Sequence, residues 1–463
     1  MKCYKFLMVI VILMTMIGCA VEGVNNNGNE QEQKATTIPY GEARVIETKT
    51  YEDIVENTEI MENTAQIVYP VSSLVNLNFV YPYKDPNNKD VMLSGTISIP
   101  KVLYDATSDK QAWGFMLYNH YTIMRANQCP SKGALREVAA LGVNAVIGGT
   151  SMPIGIKDHK IIVVSADYYG FGCTEWANQY YCAGEYNARC SLEALKAAKQ
   201  ILTDLGYIWG DYLLNAGYSQ GGQTSMAVQK LVDTDEYDVT IDATFAGAGP
   251  YNLTSTWSAY IDAKDETSDT SVAICPVLAF NEYNKLNLNY SDLFADTLVS
   301  NIDNWFISKK WTSDEIDQKL KDAGLTTLTK VFKPTMLDLS NHIPRKITAA
   351  FDTTDLTSGW TPKSTDRIYL FHSDDDKLVP PVNTVKMVEH LTTNNSLKLN
   401  KLTSYPFAAL ALAAMVSGDA LDRSKGTVCL RKPGDENIDH MTGGQYWMMD
   451  LICELKQQFK QQY

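Results

Sequence analysis

From about residue 65 onward the chain alternates between short apolar runs and longer stretches whose apolar residues recur every three or four positions. Residues 67–81 and 91–100 read as an antiparallel opening pair of strands. Residues 113–118 form a short buried strand, and residues 132–141 carry helical spacing. Residues 161–166 are apolar without interruption, as expected of a strand in a sheet covered on both faces. Residues 183–205 predict a long helix, with Leu192, Leu195, Ala198, Ile201 and Leu202 at three- and four-residue steps. A strand at 212–216 and a helix at 224–231 follow, then strands at 239–246, 367–371 and 427–430. The closing helix, 441–461, is amphipathic through Trp447, Leu451, Leu455 and Phe459.

Buried strands alternating with helices predict an α/β fold, a mostly parallel sheet flanked by helices. Right-handed crossovers then gather the loops that follow the strands along one edge, where chemistry is expected. Two stretches interrupt the alternation. Residues 253–365 contain helix-like pieces at 291–305 and 313–323 and are too long for a loop; they read as a lid or cap inserted over the site. Residues 395–425 are a second insertion, with an apolar helix at 407–416.

Composition narrows the class. The 463 residues are 45% hydrophobic and 20% charged, ordinary for a globular chain with a large core. A net charge of −14 repels phosphate backbones and argues against general nucleic-acid binding. At the N-terminus, Lys2 and Lys5 precede an apolar run at 6–17, too short to span a bilayer comfortably. The run ends in Met16-Ile17-Gly18-Cys19, which resembles a bacterial lipobox, in which the cysteine is lipidated and becomes the mature N-terminus. Residues 1–18 thus read as a lipoprotein-type signal peptide, 19–40 as a tether, and 41–463 as one catalytic domain carrying the inserted lid. The expected location is the bacterial cell envelope, exported and held to a membrane through Cys19. Seven cysteines remain beyond Cys3 and Cys19, so at least one is unpaired. Cys173 and Cys182 flank a short loop that an exporting cell could oxidise. There is no C-x-x-C pair and only six histidines, so a structural zinc site is not expected.

The chemistry centres on Gly217-Tyr218-Ser219-Gln220-Gly221, a G-x-S-x-G pattern between a predicted strand and a predicted helix. The glycines suit a turn too sharp for side chains, and Ser219 must take up a strained conformation there. A serine hydroxyl is a poor nucleophile at neutral pH; it needs a base, and the base needs a group to orient it. The orienting acid is expected in the cluster Asp374-Asp375-Asp376 after the strand at 367–371. Asp376 is chosen because it precedes Val379-Pro380 in a D-x-x-V-P arrangement. The base is expected at His440, after the last strand and before the closing helix. The backbone N–H of Gln220 is one expected oxyanion donor. The other should come from the loop Asn119-His120-Tyr121-Thr122, as the N–H of Tyr121 or of Thr122.

A further marker, Asp167-Tyr168-Tyr169-Gly170-Phe171-Gly172, follows the strand at 161–166. Together with the elbow, the His120 loop and D-x-x-V-P, it resembles the α/β-hydrolase superfamily, in the branch of secretory lipases and related exported esterases. The resemblance spans roughly residues 65–460 apart from the insertions. It implies the α/β-hydrolase fold and a triad of Ser219, Asp376 and His440, in the family's order. Many members have His-Gly where this chain has His120-Tyr121, which leaves the shape of the oxyanion loop open. The implied activity is hydrolysis of a carboxylic ester through an acyl-enzyme, without metal or cofactor. Small-molecule, lipid-linked and polysaccharide-linked esters all fit such a site. The same fold also supports peptidases, for which Glu175, Asp262 and Asp265 could anchor a free amine, and silent surface binding proteins.

Overall fold

The structure, a computed structural model, describes residues 38–50, 74–132, 160–263, 270–393, 396–401 and 424–460. Cys19 with its signal-like run, most of the helix expected at 132–141, and the helix expected at 407–416 lie outside the described residues.

Among the described residues, ten strands pair into one sheet: β1 (Arg44–Thr50), β2 (Leu74–Lys84), β3 (Asp90–Pro100), β4 (Gln111–Asn119), β5 (Ile161–Ala166), β6 (Ile208–Tyr218), β7 (Ala243–Gly247), β8 (Arg367–Phe371), β9 (Lys398–Lys401) and β10 (Thr427–Arg431). Their order across the sheet is β1-β2-β3-β5-β4-β6-β7-β8-β10-β9. The pairings β1–β2, β2–β3 and β3–β5 are antiparallel, and all from β5 to β9 are parallel.

Strand side chains alternate between the two faces. Phe115 and Leu117 of β4, Ile162 and Val164 of β5, and Ile368 and Leu370 of β8 join one core. That core is shared with helices α1 (Gly184–Asp204), α2 (Gln220–Asp233) and α7 (Val382–Thr393), which supply residues such as Leu195, Val228 and Met387. The intervening residues, Met116, Tyr118, Ile161, Val163, Tyr369 and Phe371, pack on the other face with Tyr446, Trp447 and Leu451 of the closing helix α8 (His440–Lys460). This two-sided burial is why the central strands read as unbroken apolar runs.

Residues between β7 and β8 form a helical insertion with its own hydrophobic core. It holds α3 (Leu253–Ala263), α4 (Thr270–Tyr283), α5 (Ser313–Asp322) and α6 (His342–Phe351), besides shorter turns. Its core takes in Met124, Tyr181, Cys182 and Ala183 from the loops after β4 and β5. α5 begins in a capping box, Thr312 with Glu315.

Several expectations are corrected. The helix expected at 291–305 is broken. Phe294 is extended and bridges Phe332, with the Ala295 N–H donating to Val331 O at 2.8 Å and the Lys333 N–H to Leu293 O at 2.9 Å. That tertiary pairing overrides the local periodicity and leaves the short helices Tyr290–Leu293 and Asp296–Val299, then a π turn at Asp303–Ile307. The strand expected from 239 starts only at Ala243, because Asp242 Oδ2 accepts the Leu213 N–H at 2.8 Å and closes the ladder there. Cys173 and Cys182, whose oxidation the sequence left open, are free thiols. Cys173 donates to Met92 O at 2.8 Å, while Cys182 is buried in the core of the insertion.

Candidate functional site

Strand β6 ends at Tyr218 and α2 begins at Gln220, so Ser219 alone makes the turn. Its backbone lies at φ 58° and ψ −123°, a conformation costly for a residue with a Cβ. The turn is this tight because α2 packs directly on the neighbouring strand. A Cβ on Gly221 would sit 2.0 Å from Asn119 O, and one on Gly217 would sit 2.3 Å from Gly221 O. Beneath the turn lies a buried polar network that sequence reasoning missed. Asn119 donates to Asn215 Oδ1 and to Ser225 Oγ, both at 2.9 Å, and accepts from Ser191 Oγ at 2.7 Å. Asn215 donates to Ser225 O at 2.8 Å and Thr244 Oγ1 at 3.0 Å. Satisfied throughout these bonds, the network locks β4, β6, β7, α1 and α2 together under the elbow.

The structure brings Ser219, His440 and Asp376 into one line. Ser219 Oγ lies 2.8 Å from His440 Nε2, and His440 Nδ1 lies 2.6 Å from Asp376 Oδ2. The other carboxylate oxygen, Oδ1, accepts the N–H groups of Leu378 at 3.0 Å and Val379 at 2.8 Å. Those two bonds explain the D-x-x-V-P spacing: the turn folds back on its own first residue. Burial pushes the Asp376 carboxyl up, but the facing His440 and His372 outweigh it and hold the group well below the ordinary carboxylate range. Asp374 and Asp375 face outward; Asp374 pairs with Lys432 at 2.6 Å, and Asp375 accepts the Asn437 N–H at 3.0 Å. His440 is the first residue of α8, and its carbonyl accepts from Tyr218 Oη at 2.7 Å, which ties the helix start to the elbow.

Gln220 opens α2, so its backbone N–H has no acceptor within the helix. Across the site, His120 is 1% exposed and stacks on Tyr168 at 4.1 Å. Its Nδ1 lies 2.7 Å from Tyr121 O and its Nε2 lies 3.3 Å from Asp167 O. Burial lowers its pKa despite those carbonyls, which favours a neutral ring with the proton on Nδ1, the shorter contact. Because the peptide is planar, fixing the Tyr121 carbonyl toward His120 turns the Thr122 N–H the opposite way. Thr122 Oγ1 is 2.8 Å from Tyr181 Oη, joining the loops after β4 and β5.

The D-Y-Y-G-F-G stretch acts as a brace. Asp167 is fully buried, and its Oδ2 accepts from Ser94 Oγ and Ser131 Oγ, each at 2.5 Å. Its Oδ1 accepts the Ser131 N–H at 2.8 Å. Gly172 passes so close that a Cβ there would lie 2.1 Å from Asp167 Oδ2. Of the candidate amine anchors, Glu175 is paired with Lys132, Asp262 is exposed, and Asp265 lies outside the described residues. Among the described residues no cluster of three or more His, Cys, Asp or Glu is grouped to hold a metal ion. Among them, too, no helix is long and apolar enough to cross a membrane.

A mostly parallel sheet covered by helices, with a serine on the turn from β6 to α2, defines the α/β-hydrolase fold. No family model matches the chain, and no curated protein matches its sequence. Solved structures do resemble it. The rice cell wall degrading esterase LipA from Xanthomonas oryzae superposes with a TM-score of 0.64 at 16% identity, over 92% of this chain and 98% of that one. A putative hydrolase from Legionella pneumophila gives 0.63 at 19% identity, over 91% and 98%. Candida antarctica lipase A in its closed state gives 0.54 at 11% identity, over 92% and 86%. The fold is therefore one used by esterases and lipases.

Proposed function

We propose that this chain hydrolyses carboxylic esters through an acyl-enzyme on Ser219. The observation that carries the reading is the line of two hydrogen bonds, Ser219–His440–Asp376, at 2.8 and 2.6 Å. Ser219 Oγ attacks the ester carbonyl while His440 Nε2 takes its proton. The ionised Asp376 holds Nδ1–H and stabilises the imidazolium. The Gln220 N–H and an N–H of the Tyr121–Thr122 pair, Thr122 being favoured by the peptide orientation, receive the oxyanion. His440 then gives its proton to the departing alkoxide, and the same ring activates water to release the acid.

Two further roles accompany this reading. The insertion between β7 and β8 serves as a lid: Ser219 is only 8% exposed, and the insertion's core closes on the loops that flank it. Cys19 carries a lipid that holds the enzyme to the cell envelope, which a fatty-acid probe lost from Cys19→Ala would reveal. The likeness to an esterase and a lipase favours esters with an acyl chain or a cell-wall partner over peptides.

A fluorophosphonate probe is expected to label Ser219. Ser219→Ala is expected to abolish both labelling and turnover of p-nitrophenyl esters while the protein stays folded. Full ester turnover in that variant would sink the assignment, and folded wild-type protein that resists the probe would favour a silent binding protein. Aminoacyl anilides run beside the esters separate a peptidase.

A further inference from the structure

A second buried histidine borders the same carboxylate. His372 follows β8, is 3% exposed, and donates its backbone N–H to Arg431 O of β10 at 3.1 Å, so the sheet fixes its place. Its ring meets three atoms. Nε2 lies 2.8 Å from Val379 O and 3.4 Å from Asp376 Oδ2, and Nδ1 lies 2.6 Å from Thr384 Oγ1 of α7. A carbonyl oxygen only accepts, so Nε2 carries a proton. In the neutral ring Nδ1 then accepts from the Thr384 hydroxyl. The Nε2 proton points between the Val379 carbonyl and the carboxylate oxygen that His440 uses.

Val379 is thus held at both its polar groups. Its N–H donates to Asp376 Oδ1, and its carbonyl accepts from His372. The titratable groups facing Asp376 are His440 from the start of α8, His372 from the end of β8 and Tyr218 of the elbow. We infer that His372 is a positioning residue for the hydrolysis proposed above: it fixes the 376–380 turn and shares Asp376 Oδ2 with His440, setting both the aim of the carboxylate and the basicity of the base. This rests on the Ser219 reading. A carboxylate oxygen that serves a second donor stabilises the imidazolium less. Without His372, His440 has that oxygen to itself and holds its proton to higher pH. The freed turn also costs alignment, which falls on kcat rather than on KM.

The test is kinetic. His372→Leu removes the donor, His372→Gln places an amide N–H near the position of Nε2, and His372→Asn matches Nδ1 but stops short of Asp376. His372→Leu is expected to lower kcat about tenfold or more, to leave KM within about twofold, and to move the acid limb of kcat/KM upward. His372→Gln is expected to return both toward wild type. His372→Asn, which keeps the Thr384 partner, is expected to share the limb shift and decides the matter if the leucine variant does not fold. Wild-type kcat and acid limb in folded Leu or Asn variants would overturn the inference. Should Ser219→Ala retain turnover, the underlying reading fails; should it be inactive while the His372 variants keep the wild-type profile, only this inference fails.

Discussion

Asp376 shows how much of the site rests on single atoms. Its charge survives burial because two backbone N–H groups and two imidazoles surround it. With its folded pKa depressed, the stability it contributes is present above the ordinary carboxylate range and is lost as pH falls below it. On the proposed mechanism, Asp376→Asn keeps the shape, removes the charge that would stabilise the imidazolium and offers His440 a donor. We expect kcat to fall on the order of 10³–10⁴-fold in a stopped or continuous ester assay, with the fold intact by circular dichroism. The three residues that meet in the structure were legible because order and context marked them: a serine between glycines, an aspartate before Val379-Pro380, and a histidine before the final helix. His372 was visible only as a histidine at a strand end. Its four-residue spacing to Asp376 was a usable signal, but nothing in the chain says that Thr384 and Val379 close around its ring. Asn119 and Asn215 were missed because buried amides announce themselves only through partners distant in sequence.

At the scale of elements, legibility followed burial. The central strands are covered on both faces and read as apolar runs. Strands β1 and β9 were not anticipated: Arg-Val-Ile-Glu-Thr-Lys-Thr and Lys-Leu-Asn-Lys lie at the two edges of the sheet and carry charged residues where the central strands carry apolar ones. Paired elements also carry titratable joints. Asp233 at the end of α2 faces Asp366 just before β8, and each has a buried carboxylate oxygen without a hydrogen-bond partner. Burial, then the facing Asp233, pushes Asp366 up to about 8, with the Lys363 ammonium opposing. The unfolded carboxyl ionises near its usual value while the folded one keeps its proton, so stability falls as pH rises between those two limits. Asp366→Asn supplies a permanent donor to Asp233. Thermal unfolding of that variant is expected to lose the fall and to show a higher midpoint than wild type at pH 8, with little difference at pH 4. A second joint, Arg431 with Asp450 and Glu454, fixes β10 to the helix that starts at His440.

At the scale of the molecule, the insertion is fastened over the sheet edge by a buried lysine. Lys309 is 4% exposed, and its ammonium donates to Glu175 O at 2.8 Å and to Ala177 O in the loop after β5. Its own carbonyl accepts the Ala126 N–H from the loop after β4 at 2.9 Å. Lys309→Met removes both donated bonds and is expected to cost roughly 1–3 kcal/mol in denaturant unfolding. If the insertion is a lid, the same change speeds fluorophosphonate labelling of Ser219; an unchanged rate would separate fastening from gating. The topology has one more result, which concerns the time at which the protein is made rather than its finished form. Strand β10 lies between β8 and β9, both of which precede it in the chain, and His440 lies beyond β10 again. A nascent chain emerges N-terminus first, so it carries Ser219 for more than two hundred residues before His440 arrives. Until then the sheet has an unfilled slot and Ser219 lacks its hydrogen-bond partner His440. On the proposed mechanism, synthesis itself then keeps the enzyme inert, and a fragment cut off before the last helix is expected to keep Ser219 but to resist a fluorophosphonate probe.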